Sequence, residues 1–301
     1  VTLPKLPRII AVALTAALGV TGCARPGTSP GDAGPATGAS PADAREALVR
    51  SVDALRAGDY TFTRTGAYLT ADITHGAVHL PDGALLELGQ AAMMRVGDAT
   101  YLRYLIHGNL EERDLYMKYR RKAAAPGQLR DINRVYALLD GKHWVRVDEK
   151  RLAAAAAIEE QSGLDSMPTL PGPGRADGPD AEALIKAVTT ARRSGDTITG
   201  TLDATRVDPD LDLLFSDPTY LYGPRAKAMS YRAVLDERGR LAELTVEMPD
   251  QLASQPPEPA DPEPPVVITI SQYGRTEPPR APADAETLPL IGYEMLANDV
   301  D

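Results

Sequence analysis

Apolar and polar residues change their spacing several times along this chain, and each change marks an element. Leu48, Val52 and Leu55 recur at helical spacing behind Asp43, which reads as the N-cap, until Gly58 stops the pattern. From Asp59 the period drops to two, with Tyr60 and Phe62 alternating with Thr61 and Thr63. Strand-like runs follow at 68–73, 77–80, 85–88, 93–96, 100–106 and 115–119, separated by turns such as Pro81-Asp82-Gly83 and Gly97-Asp98. Short runs joined by tight turns predict an antiparallel meander.

Residues 128–139 return to helical spacing, with Ile132, Val135, Leu138 and Leu139 on one side. A strand at 142–148 and an alanine-rich helix at 149–161 come next, then a loop at 166–179 rich in proline and glycine. Asp180 reads as the cap of a helix over 180–191, carrying Leu184, Ile185 and Val188. Strands are expected at 196–202 and 266–273, with a helical turn or two at 209–215. Between them, Met229, Tyr231, Ala233 and Leu235 face Leu244, Val246 and Met248 across a turn at 236–240, which is a hairpin with one apolar face. The proline-rich, acidic stretch 249–265 reads as a solvated loop, and 276–301 as an acidic tail whose apolar residues 288–296 can dock. Strands with one wet face need a cover, and the helices at 43–57, 128–139, 149–161 and 180–191 supply it. The expected fold class is α+β: a curved antiparallel sheet, a half-barrel, with helices packed on its concave face.

The amino end departs from this pattern. Lys5 and Arg8 precede a twelve-residue apolar run from Ile9 to Val20, too short for a spanning helix and typical of a secretory signal segment. Val20-Thr21-Gly22-Cys23 then resembles the lipobox of bacterial lipoproteins, which implies cleavage after Gly22 and acylation of Cys23. Two acyl chains give stable anchoring where one is marginal. Residues 24–41 hold four Gly, four Pro, four Ala and four Ser or Thr, a composition that cannot form a core and reads as a tether of about 25 Å. The expected organisation is therefore a signal segment at 1–22, a lipidated tether at 23–42, one domain at 43–275 and the tail at 276–301. The expected location is the extracytoplasmic face of the cell membrane.

Composition narrows the function. The 301 residues carry 42 acidic and 32 basic side chains, a net charge of −10, which argues against a nucleic-acid partner. One cysteine excludes an internal disulfide framework and a Cys-based metal site. His75 and His79 have the spacing of a helical metal pair but fall in a strand context, where residues four apart lie about 13 Å apart. No catalytic motif is present, scattered carboxylates read as surface, and neither enzyme activity nor a cofactor is expected. Arg113, Lys118, Arg120, Arg121, Lys122, Arg130 and Arg134, interleaved with Tyr116 and Tyr119, form a basic stretch in an acidic chain. It reads either as a solvated face, the default, or as a lip that meets lipid headgroups.

The order of elements resembles the LolA-like superfamily, and within it the mycobacterial LppX/LprG group of lipoproteins. The residues that carry the likeness are Tyr60-Thr61-Phe62, Tyr101-Leu102-Arg103, Leu115-Tyr116-Met117-Lys118, the run from Gly141 to Asp148, and the hairpin from Ser230-Tyr231 to Val246. The resemblance implies a bent sheet with helices plugging its mouth and a lipid cavity between. It makes Tyr60, Phe62, Leu115, Met117, Met229, Tyr231, Leu235, Leu244, Val246 and Ile268 candidate lining for a hydrophobic ligand. Spacing alone reads the same residues as core. The expectation is a lipid-anchored protein that holds an acyl-chain lipid. The alternatives are an envelope interaction module with a filled core, meeting a protein partner, and, less favoured, a hydrolase with dispersed acids.

Overall fold

The computed structural model describes residues 40–66, 72–89, 91–125, 127–157, 164, 167, 169–211, 213–214, 217–252 and 263–299. The signal segment, Cys23 and residues 24–39 of the tether lie outside them, as does most of the run at 68–73, while the last tether residues, 40–42, belong to the first helix and its cap.

The first helix, α1 (Pro41–Ser51), begins one turn earlier than the sequence predicts. Ser40 is its N-cap: its hydroxyl accepts from the Asp43 amide at 3.2 Å, while the Asp43 carboxylate accepts from the Ser40 amide at 3.2 Å. Asp43 is therefore the third helical residue of a capping box, with Pro41 suited to the first turn. A 3-10 turn at Asp53–Ala57 ends at Gly58, which takes φ 66° and lies so close to Leu80 that a Cβ would sit 2.7 Å from its side chain.

From there the chain forms β1 (Asp59–Thr65), β2 (Ile73–His79), β3 (Gly83–Leu88), β4 (Ala91–Val96) and β5 (Ala99–Arg103), the expected meander. Helices α2 (Leu110–Ala123) and α3 (Leu129–Leu138) follow, then β6 (Val145–Val147) and α4 (Glu149–Ala156). After α5 (Ala181–Lys186) the chain adds β7 (Val188–Ser194) and β8 (Thr197–Leu202), the short α6 (Pro218–Tyr222), β9 (Met229–Leu235), β10 (Leu241–Val246) and β11 (Val266–Ser271). It finishes with β12 (Glu286–Thr287) and α7 (Leu290–Ala297). The twelve strands of the described residues join one open, curved sheet in the order β12-β6-β5-β4-β3-β2-β1-β11-β10-β9-β8-β7. Every pairing is antiparallel except the outermost, β12 on β6. Register shifts in β1–β2, β9–β10 and β7–β8 add local bends to the natural twist of the strands. The fold class is α+β, as the alternation of the strands requires.

Two assignments are corrected. Residues 115–119 are not a strand but the middle of α2, and residues 188–191 do not end a helix but open β7. Asp180 does not cap α5 with its side chain; it sits at φ 59°, and the Asp177 carboxylate accepts the Ala181 and Glu182 amides at 3.2 and 2.7 Å instead.

The core is one continuous cluster on the covered face of the sheet. The register brings Tyr60 opposite Val78, Phe62 opposite Ile270, Ile268 opposite Leu244 and Val246 opposite Tyr231, all of them buried. Helix α1 shields the edge strand β7. At the other end α7 packs on α3 and α4 with Met295, Leu296 and Ala297 buried, so the apolar stretch of the tail belongs to the core. Two polar contacts fasten it. Tyr293 Oη accepts the Asp148 amide at 2.9 Å, and the buried Asp299 carboxylate meets His107 Nδ1 at 2.5 Å and accepts the His107 amide at 2.9 Å.

Candidate functional site

The same register places two arginines on the covered face, where apolar residues are the rule. Arg64 lies opposite Ile268, and Arg95 lies between Ala84 and Thr100. Their treatment differs.

Arg64 is 5 % exposed and neutralised. Its Nη1 donates to Asp180 Oδ2 at 2.8 Å, while Arg175 Nη2 donates to Asp180 Oδ1 at 2.9 Å. Burial pulls the Arg64 pKa below its ordinary value and Asp180 opposes the shift. Asp180 ends a strap, residues 169–180, that lies over the centre of the sheet. The Tyr60 hydroxyl donates to the Ala176 carbonyl and accepts the Gly178 amide at 2.8 Å. Gly178 rests so close to the Phe62 ring that a Cβ would approach it to 2.9 Å. Asp177, within the strap, has its carboxyl pushed up to about 6, chiefly by burial, with the two amides it accepts pulling the other way.

Arg95 lacks such a partner. Its Nη1 stands 3.9 Å from Glu149 Oε1, whose nearer contact is the Thr100 hydroxyl, donating at 2.6 Å. Its Nη2 is buried with no hydrogen-bond partner among the described residues, and packs against Gly172 of the strap. Beside this guanidinium is a recess of about 290 Å³. It is lined by Met93 of β4, Leu152 and Ala156 of α4, and Leu164, Met167 and Leu170. Arg95 and Glu149 also line a polar cleft of about 1130 Å³ that runs past Arg146, Lys150 and the strap's Pro173. An apolar recess and an open polar cleft thus meet at one guanidinium. Methionines at two points of the wall give a lining that adapts its shape. A groove of about 610 Å³ at Arg45 and β7–β8 is different in kind, since its threonines bond one another, Thr189 and Thr190 each to Thr201.

Of the ten candidate lining residues, Tyr60, Phe62, Met229, Tyr231, Leu235, Leu244, Val246 and Ile268 are brought together, each at most 3 % exposed, in the core. Tyr60 and Phe62 face the strap. Leu115 and Met117 are elsewhere: the helix turns Met117 partly inward and leaves Leu115 49 % exposed. The alternation Leu-Met-Tyr suggests a strand only if the cap before it is overlooked. His75 and His79 both fall on β2, and no group of three or more potential metal ligands occurs among the described residues. Sequence reasoning missed Arg95. Its signal was a cation at an inward position of the run 93–96, next to Met93.

No protein-family model and no curated protein matches the chain. Among solved structures it is similar to the crystal structure of LprF from Mycobacterium bovis, with 13% identity, a TM-score of 0.35, and coverage of 80% of this chain and 99% of that one.

Proposed function

We propose that this chain is a membrane-anchored lipoprotein, acylated at Cys23, whose domain holds an anionic amphiphile with an acyl tail. The tail enters the recess between β4 and α4, and the headgroup rests on Arg95 in the polar cleft. The observation that carries this reading is the junction itself: an apolar recess opening beside a buried guanidinium nitrogen that has no partner of its own. Each buried methylene contributes about 0.8 kcal/mol, and a carboxylate or phosphate completes the hydrogen bonding of Arg95. About 290 Å³ lies at the lower edge of the usual range for ligand sites, so it suits a short tail or the end of a longer one. The strap supplies the remaining room. Its first residues wall the recess and its last cover Tyr60 and Phe62, so displacing it would extend the site onto the candidate lining of the sheet. No chemistry on the ligand is implied; the role is carriage.

A second reading keeps the strap closed and the centre filled, which makes the domain an envelope interaction module. The burial of Tyr60 and Phe62 beneath the strap favours it.

Titration of the full chain with fatty acids of increasing length, followed by displacement of a fluorescent polyene fatty acid, separates the two. The carrier reading expects one saturable site whose affinity rises with tail length and falls in Ala156→Trp, which fills the recess. Arg95→Gln should weaken fatty acids but not the matching fatty alcohols. Absence of saturable binding would leave only the interaction module.

A further inference from the structure

Helix α2 is fastened on one side only. Asn109 caps it by accepting the Glu112 amide at 2.9 Å, Arg113 donates to the Tyr136 carbonyl, Tyr116 stacks on His107 at 4.4 Å, and Met117 packs against the core. Arg121 Nε donates to Asn133 Oδ1 at 2.6 Å, which ties α2 to α3 as a helical hairpin. No residue of α2 is buried. Opposite the fastened side the helix presents Leu115 and Tyr119, 49 % and 60 % exposed and one turn apart, flanked by the exposed Lys118 and Lys122. Beyond Ala123 come Ala124 and Ala125, and α3 opens with the exposed Leu129 and Arg130.

Charge along the hairpin is polarised. Glu111, Glu112 and Asp114 occupy the start of α2, and Lys118, Arg120, Arg121 and Lys122 its end. Among the described residues Lys118, Arg120, Arg121, Lys122 and Arg130 have no carboxylate within ion-pair distance, in a chain whose net charge is −10. A folded acidic protein that leaves five neighbouring cations unpaired around an exposed leucine and tyrosine has the composition of an interfacial helix. Apolar and aromatic side chains enter the headgroup boundary while lysine and arginine stems reach anionic lipid. A protein-binding face would instead concentrate its apolar residues in a packed centre and keep lysines out of it.

We infer that the α2–α3 hairpin docks on the surface of an anionic bilayer, with the C-terminal end of α2 and the tip inserted and the acidic N-terminal turn held in water. This stands apart from the recess and from acylation at Cys23.

The test uses the full chain with Cys23→Ser and one spin label, at Ala123→Cys or at Glu111→Cys. Depth is read from relative accessibility to oxygen and to a water-soluble nickel chelate. With vesicles containing phosphatidylglycerol, the label at 123 should read the headgroup–acyl boundary and the label at 111 water. The depth signal at 123 should vanish with phosphatidylcholine alone, in high salt, and when Lys118→Glu, Lys122→Glu and Arg130→Glu are combined. These three side chains are exposed and make no hydrogen bond or ion pair among the described residues, so the far-ultraviolet circular dichroism of that variant should match the parent. A label at 123 that reads water in both kinds of vesicle overturns the inference. So does one that becomes shielded with rising protein concentration in the absence of vesicles, since the partner is then a second copy.

Discussion

Arg64 Nη1 lies 2.8 Å from Asp180 Oδ2, with the two side chains 6 % and 10 % exposed, on a sheet face that is otherwise almost wholly apolar. This ion pair is the pin of the strap. A buried pair stabilises little against a hydrophobic replacement, but breaking it from one side leaves a charge stranded in low dielectric. Asp180→Ala is therefore expected to cost about 3–5 kcal/mol in urea unfolding. The double replacement Arg64→Met with Asp180→Leu should lose much less. Equal losses in the two variants would mean that the pair is not the pin.

Asp177 gives the strap a pH dependence of a defined sign. Its carboxyl titrates near 6 in the folded chain, above the value near 3.9 of an unfolded aspartate. Between those values the native state binds more protons than the unfolded state, so this group's contribution to stability falls as pH rises through the window from about 4 to 6. The full excursion is about 3 kcal/mol, expressed as the difference between the wild type and Asp177→Asn. Unfolding midpoints measured from pH 4.5 to 7 should show the wild type losing ground to the variant. Parallel curves would show that Asp177 is not burdened by burial.

Asp299 clips the end of α7 to the core. Asp299 meets both the ring and the amide of His107, and that ring's Nε2 lies 3.1 Å from the Tyr136 hydroxyl. Asp299→Ala leaves these donors buried and unsatisfied, at a cost of about 1–3 kcal/mol. Hydrogen exchange should quicken first in α7 while β9–β11 stay protected. Uniform acceleration across the domain would contradict a local clip.

Two leucines proposed together for ligand lining should behave oppositely. Leu244 is 1 % exposed, and Leu244→Ala should cost about 2–5 kcal/mol. Leu115→Ala, on the bare face of α2, should stay within about 0.5 kcal/mol.

These positions also show what the sequence could and could not reveal. Alternation sustained over consecutive runs joined by tight turns made the β9–β10 hairpin and the meander legible. The α2 segment was misread because Leu115, Met117 and Tyr119 alternate over five residues. The longer signal was decisive: Asn109 followed by Glu112 is a capping pattern, with acids in the first turn and bases in the last. For 188–191 the reverse applied, since Val188, Thr189 and Thr190 are β-branched and close the helix that Leu184 and Ile185 open. Apolar candidates for the site could be gathered but not divided into core and lining, because both use the same alphabet. What separates them is tertiary: which strand faces the strap, and where a guanidinium nitrogen is buried without a hydrogen-bond partner among the described residues.

The most direct test of the central claim is native mass spectrometry, with organic extraction, of the full chain purified from the lipid-rich membranes of its producing cells. The account predicts a discrete, stoichiometric amphiphile with an anionic headgroup on the wild-type protein, absent from Ala156→Trp. A wild-type protein that emerges free of lipid, and stays free when lipids are added, would contradict it.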